Sequence, residues 1–214
     1  MIHRYDETAR TQALAGLPIM KAAAFAAAVT TRQTINYEHC ASALGLASPS
    51  RYREITAQLW ELILSDELDN TGWDALLEEV MDMFAPETSD QWLRVALVED
   101  AVSSLAYAIR FVLTHSAQEA AWAGRRAYEI TDQITIAKLD FLPEDLLSED
   151  TILSDVIVQR ELGRQSRDIE LLGSDSNYTS IKALRDLAHS ETVLTNEELS
   201  QLDAWQRLRP TKSG

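Results

Sequence analysis

The 214-residue chain carries a single cysteine, Cys40, which excludes an internal disulfide and any metal site built from several thiolates. Glycine and proline are sparse, at 7 and 5. No Gly-rich phosphate loop, Gly-x-Ser-x-Gly elbow or dinucleotide fingerprint occurs, which removes the signatures of several common enzyme classes. Basic residues are also few: 19 Lys and Arg stand against 34 Asp and Glu, a formal net charge of −15. Duplex binding draws its affinity from clustered Lys and Arg that neutralise phosphates. The small basic groups here, Arg125-Arg126 and Arg160, Arg164, Arg167, stand beside Glu129, Glu161 and Asp168, so duplex nucleic acid is not an expected partner. No apolar run approaches the roughly 20 residues that span a bilayer. The most apolar stretch, Met20–Thr30, is short, Ala-rich and preceded by the polar segment His3–Gln12, unlike a secretory leader. A soluble, cytoplasmic protein without a membrane partner is the expectation.

What the chain does have is helical stepping. Val98, Val102, Leu105, Ile109 and Val112 recur at steps of four and three, as do Ala123, Ala127, Ile130, Ile134 and Ala137. Residues three and four apart share one face of an α-helix, so each segment carries an apolar stripe. Between them Ser116 and Glu119 have the spacing of a capping box, and a link that short forces antiparallel neighbours. Ala, Leu and Glu, all good helix formers, dominate the composition.

Punctuation divides the rest. Pro18 opens an Ala-rich helix to about Thr30, and Ser48-Pro49 reads as cap and first turn of another that places Ile55, Leu59, Leu62 and Ile63 on one side. Thr71 to Phe84 turns Trp73, Leu76, Leu77 and Val80 inward and stops at Ala85-Pro86. Ser89 is placed to cap the long helix ending near Thr114, and Leu142-Pro143 ends the next. A helical stretch from about Glu144 to Leu172, broken near Gly163, precedes a polar loop at Gly173–Asn177. Two short helices follow, the last opened by a Thr195–Glu198 capping box, and the Arg209–Gly214 tail is expected to be disordered. The sum is an all-α fold: a compact bundle of eight or nine helices around a central antiparallel hairpin, with no sheet. Residues 1–172 form the bundle domain, and 173–214 a C-terminal helical appendage packed on it.

Few side chains suggest chemistry. His39 and Cys40 are adjacent, but a Cys–His pair must face one another in space, which sequence neighbours seldom do. His3, His39, His115 and His189 are scattered and form no His-x-x-x-His ligand pair. Glu79 with Asp82, and Glu129 with Asp132, both read Glu-x-x-Asp, one helical turn apart. Converging from two helices, these four carboxylates would suit Mg²⁺, which takes oxygen ligands and binds substrate phosphates. The pattern resembles that of the all-α nucleotide pyrophosphohydrolases, although a whole helix intervenes between Asp82 and Glu129. Asp100 lies in the middle of the most apolar helix, where burial would require a partner.

Several separated segments together resemble a known family. They are Phe25-Ala26-Ala27-Ala28-Val29 with Arg32 and Asn36-Tyr37; Tyr52-Arg53; Leu59-Trp60-Glu61; Asp100-Ala101 with Leu105; and Glu161 with Arg167-Asp168-Ile169-Glu170-Leu171-Leu172. In this order, over roughly residues 20 to 172, they are similar to the YjaG-like family, a bacterial group catalogued as domain of unknown function 416. Two departures stand out: Ile35-Asn36-Tyr37 replaces the family's Pro-Asn-Tyr, and Arg94-Val95-Ala96-Leu97 replaces an aromatic-glycine-proline stretch. The resemblance implies an all-helical bacterial protein and supplies no catalytic residues. It marks Asn36, Tyr37, Trp60, Glu61, Asp100, Arg167, Asp168 and Glu170 as the positions to locate first. The functional expectation is a non-enzymatic protein-binding or adaptor module, acidic, without a cofactor, that engages another protein or a second copy in a homodimer. The alternative is a Mg-dependent pyrophosphohydrolase-like enzyme built on Glu79, Asp82, Glu129 and Asp132.

Overall fold

The structure, a computed structural model, describes residues 2–65, 71–85, 91–139, 148–174 and 179–207. All regular structure in them is helical: α1 (Glu7–Ala15), α2 (Ile19–Thr31), α3 (Thr34–Ala43), α4 (Arg51–Leu64), α5 (Trp73–Met81), α6 (Trp92–Thr114), α7 (Ala117–Leu139), α8 (Glu149–Leu153), α9 (Val156–Gly173), α10 (Thr179–Ser190), α11 (Asn196–Ser200) and α12 (Leu202–Arg207). None of these helices is long and apolar enough to cross a membrane.

The α6–α7 hairpin is the frame, and both stripes read from the sequence are buried along its length. It turns at His115, which takes a left-handed conformation (φ 56°) and returns its amide to Phe111 O at 2.8 Å. The Ser116–Glu119 capping box does not form. The Ser116 amide donates to Thr114 Oγ1 (3.3 Å), and the Glu119 carboxylate instead receives Arg110 at 2.8 Å.

Across this hairpin lies α2, buried on every side from Met20 to Thr31. A helix apolar all round belongs in a core, and its alanines let α4, α6, α7, α9 and α10 all pack against it. Gly124 of α7 serves the same end: a Cβ there would lie 3.2 Å from the Phe25 ring and 3.1 Å from Gln165 Oε1. The apolar residues Ile181, Leu184, Val193, Leu194, Leu199 and Leu202, all beyond Gly173, join the same core as α2 and α6.

Local punctuation differs in three places. α1 was not legible from its sequence because it buries only Arg10 and Leu14; Asp6 caps it by accepting from the Ala9 amide at 2.9 Å. α4 starts at Arg51 instead of Pro49, since Ser48 adopts φ 51° and places Pro49-Ser50 in a turn. Gly163 sits inside α9 without breaking it. The interruption falls at Ser154-Asp155, where the Asp155 carboxylate accepts the Ile157 amide at 2.9 Å and restarts the helix. The Thr195–Glu198 capping box forms with both of its bonds. The expected signals at Pro86, Ser89 and Leu142-Pro143, the start at Glu144, most of the loop to Asn177 and the Arg209–Gly214 tail lie outside the described residues.

Candidate functional site

On the inner face of α9, Ile157, Glu161, Gln165, Asp168 and Leu172 follow one another at steps of four and three. All five are buried, so the middle of an otherwise apolar stripe is polar and must find partners inside the protein. Arg32, at the end of α2, supplies the first. Its guanidinium lies 2.7 Å from Asp168 Oδ2 and 3.5 Å from Glu161 Oε1, with all three side chains fully buried. Burial works against the charge on Arg32, but the two carboxylates outweigh it and keep the group protonated. Gln165 donates to Gly124 O (2.9 Å) and to Glu161 Oε1 (2.8 Å), and accepts from Arg10 of α1. Glu161 Oε2 and Arg32 Nε have no hydrogen-bond partner.

The opposite edge of α9 carries Arg160, Arg164 and Arg167, which fasten the segment after α10. Arg160 grips Glu198 through two bonds (3.1 and 2.6 Å) and donates to Val193 O (2.9 Å); Arg164 donates to Thr192 O (2.6 Å). Arg167 reaches both oxygens of Glu191 (2.7 and 2.9 Å) and Asp168 Oδ1 (2.9 Å). The Val193 amide closes the seam by donating to Arg32 O at 3.1 Å. Burial would raise the Glu191 pKa, but Arg167 and Arg164 hold it below the usual carboxylate range.

Glu191 also borders a cleft of about 270 Å³ where α2, α3, α4 and α10 meet, lined by Thr31, Thr34, Ile35, Arg53, Thr56, Ala57, Ala188, His189 and Thr192. Its wall is fixed. Trp60 Nε1 donates to Thr31 Oγ1 (2.8 Å), Thr56 bonds back to Tyr52 O (2.8 Å), and Arg53 is held by both oxygens of Glu38 (2.8 and 2.5 Å). Burial and the nearby Arg185 push the His189 pKa down, leaving a neutral imidazole at the rim.

A second polar cluster lies between α6 and α7. Asp100 accepts from Gln133 Nε2 (3.0 Å) and meets Arg126 Nη1 at 3.3 Å, while the same nitrogen bonds Glu129 at 2.7 Å. Burial raises the Asp100 pKa to about 7, against the pull of Arg126.

Of the positions marked by resemblance, Arg167 and Asp168 fall in the ionic seam and Trp60 supports the cleft. Tyr37 stacks on Tyr52 (centroids 4.6 Å apart), and Asn36 is fully buried with neither amide atom hydrogen-bonded. Asp100 belongs to the separate α6–α7 cluster, and Glu61 and Glu170 are exposed. The four carboxylates of the alternative metal site are not brought together. Glu79 is held by Arg51 of α4 (2.6 and 2.9 Å), Glu129 by Arg125 and Arg126, and Asp132 by the Tyr128 hydroxyl (3.4 Å), while Asp82 is exposed. Among the described residues no group of three or more His, Cys, Asp or Glu is placed to hold a metal ion. His39 is exposed while Cys40 is buried, its thiol pushed up to about 12 by burial. Sequence reasoning missed Arg10, Gln165 and Glu191 and named Arg32 only within the family resemblance; the polar positions 161, 165 and 168 on one helical face, not read there as a set, were the available signal.

Helix packing around one buried helix, tied to α9 through an internal ionic seam, defines an all-α fold. The chain belongs to the DUF416 family: the model for that family, Protein of unknown function (DUF416), matches residues 10–207. The match therefore reaches through the helices beyond Gly173. A crystal structure of a DUF416 family protein from Shewanella baltica OS155 is similar, with a TM-score of 0.69 at 17% sequence identity. The similarity covers 84% of this chain and 93% of that one, and at such identity it establishes the shared fold. No curated protein matches.

Proposed function

We propose that this protein is a non-enzymatic binding module that seats one anchoring side chain of a partner protein in the cleft between α2, α3, α4 and α10. The observation that carries this reading is the size of the cleft. Its 270 Å³ falls below the roughly 300–1,000 Å³ of pockets that enclose small ligands. It is on the scale of a single large side chain, the unit that anchors protein interfaces. The lining supports the same reading. Buried Ala188 and exposed Ala57 supply apolar lining, threonine hydroxyls offer neutral hydrogen bonds, and Ile35 at the rim is 40% exposed. Glu191, the carboxylate bordering the cleft, is kept ionised by Arg167 and Arg164, which makes it a poor proton shuttle. The buried, unpaired Cys40 is in keeping with a cytoplasmic setting.

The test is site-specific photo-crosslinking in cells from Ile35, with the exposed Val156 as control position. The expected result is a discrete protein adduct from Ile35 alone, lost when Ala57→Trp fills the cleft. Equal adducts from both positions, or an Ile35 adduct that survives Ala57→Trp, would overturn the reading.

A further inference from the structure

A line of alternating charges runs outward from the buried Asp100. Arg126 Nη1 lies 3.3 Å from Asp100 and 2.7 Å from Glu129 Oε2. Glu129 Oε1 receives Arg125 Nε at 2.8 Å, and Arg125 Nη1 reaches Glu7 Oε2 of α1 at 3.0 Å. Glu7 Oε1 also accepts from Gln118 (3.1 Å) and Trp122 (3.2 Å), so this one carboxylate pins the first turn of α1 to α7. Three acids here share two guanidiniums. Arg126 Nη1 is divided between Asp100 and Glu129, whereas Arg125 serves Glu129 through Nε and Glu7 through Nη1, so a stronger demand of charged Asp100 on Arg126 is passed to Glu7 through Glu129 and Arg125. With Asp100 protonated the count balances: Arg126 serves Glu129 and Arg125 serves Glu7.

We propose that this relay is a pH-sensitive latch, in which protonation of Asp100 tightens α1 on α7 and its ionisation loosens it. The device is separate from the cleft and does not rest on it. The side chain of Asp100 is 6% exposed and its titration falls near neutrality, so the latch works in the range a cell visits. The charged groups bearing on it among the described residues are Arg126 and Glu129 of α7 and Glu99 of its own helix. On the other elements packed on α6, α5 carries Asp74, Glu78 and Glu79, the last held by Arg51, α2 presents the Thr30 hydroxyl to Ser104 (3.4 Å), and Tyr52 of α4 donates to Ala101 O (3.1 Å). Asp203 of α12 is taken by Arg94, whose charge also acts on the buried Cys40 of α3. What the latch governs follows from α1 itself. Arg10 donates to Gln165, so lifting α1 opens the edge of the ionic seam, where Glu161 Oε2 and Arg32 Nε stand without partners.

Hydrogen exchange of the full chain tests this, with rates corrected for the intrinsic effect of pH. Protection of the α1 amides is expected to be at least about five-fold greater at pH 6 than at pH 8.5, the lower end of ordinary coupling between sites. Asp100→Asn should hold α1 protected at both values. Glu7→Gln, an exposed-edge change that leaves the core intact, should remove the pH dependence while Asp100 still titrates by carboxyl infrared absorption. Protection of α1 that is flat with pH in the native protein would overturn the latch, as would a pH dependence retained in either variant.

Discussion

Arg32 and Asp168 meet at 2.7 Å with no solvent contact on either side chain, joining the end of α2 to the inner face of α9. A buried pair of this kind is weak evidence of net stabilisation, because two charges have been taken out of water to make it. Removing one partner is another matter. Asp168→Ala leaves Arg32 with only the longer contact to Glu161, and the expected cost is about 3–5 kcal/mol. At this chain length that lowers the melting temperature by roughly 10 °C. Replacing both, as Arg32→Met with Asp168→Leu, in a Glu161→Gln background so that no buried carboxylate is left without its arginine, should recover much of the loss. Urea denaturation of the single and double variants measures both effects, and equal destabilisation by the two would show that the pair is not what matters.

Stability should fall as pH rises from about 4 through neutrality, on account of Asp100. Its folded-state pKa of about 7 stands above the unfolded value of roughly 3.9. The folded state therefore binds the proton more tightly, and the stability this confers is complete below the unfolded value and lost as pH passes the folded one. A gap of this size corresponds to an upper bound of about 4 kcal/mol. Glu191 and Glu198 act in the opposite sense, but their pKa values lie below the ordinary range, so their contribution disappears only under more acidic conditions. Denaturant midpoints at pH 5, 6, 7 and 8 should decline in the native chain and decline less in Asp100→Asn, in which the lowered His189 and the raised Asp132 still titrate with opposite effects.

Cys40 should be inert in the folded protein. The thiolate is the reactive form, and burial has pushed the thiol up to about 12 despite the charge of Arg94. An aromatic disulfide reagent at pH 8 is expected to leave the native protein unmodified and to titrate one thiol per chain in denaturant. Rapid native reaction would mean that α3 opens far more readily than its packing on α6 implies.

The hairpin was legible because its two stripes repeat over several turns, and a helical period that long has one interpretation. The Ala-rich α2 was legible as a helix but not as the centre of the fold, since alanine tolerates any surface and names no neighbour. α1 escaped notice because a helix that buries one arginine and one leucine has no apolar period to find. Arg167 and Asp168 were marked by resemblance, yet their partners were not. Asp168 is spent on Arg32, 136 residues earlier, and no local pattern encodes a pairing across that distance. The cleft was illegible for the same reason. Its lining comes from four elements and includes threonines that any helix surface accommodates.

The remoteness of Asp168 from Arg32 also constrains how the chain is made. While the ribosome delivers α2 and even the whole α6–α7 hairpin, the guanidinium at the end of α2 has neither of its buried acids, and a dry unpaired charge is too costly to hold. The central helix is therefore expected to stay loosely seated until α9 emerges. The last third of the polypeptide is thus the key that locks the first. A chain cut before residue 168 has every helix of the hairpin and no finished core to put between them.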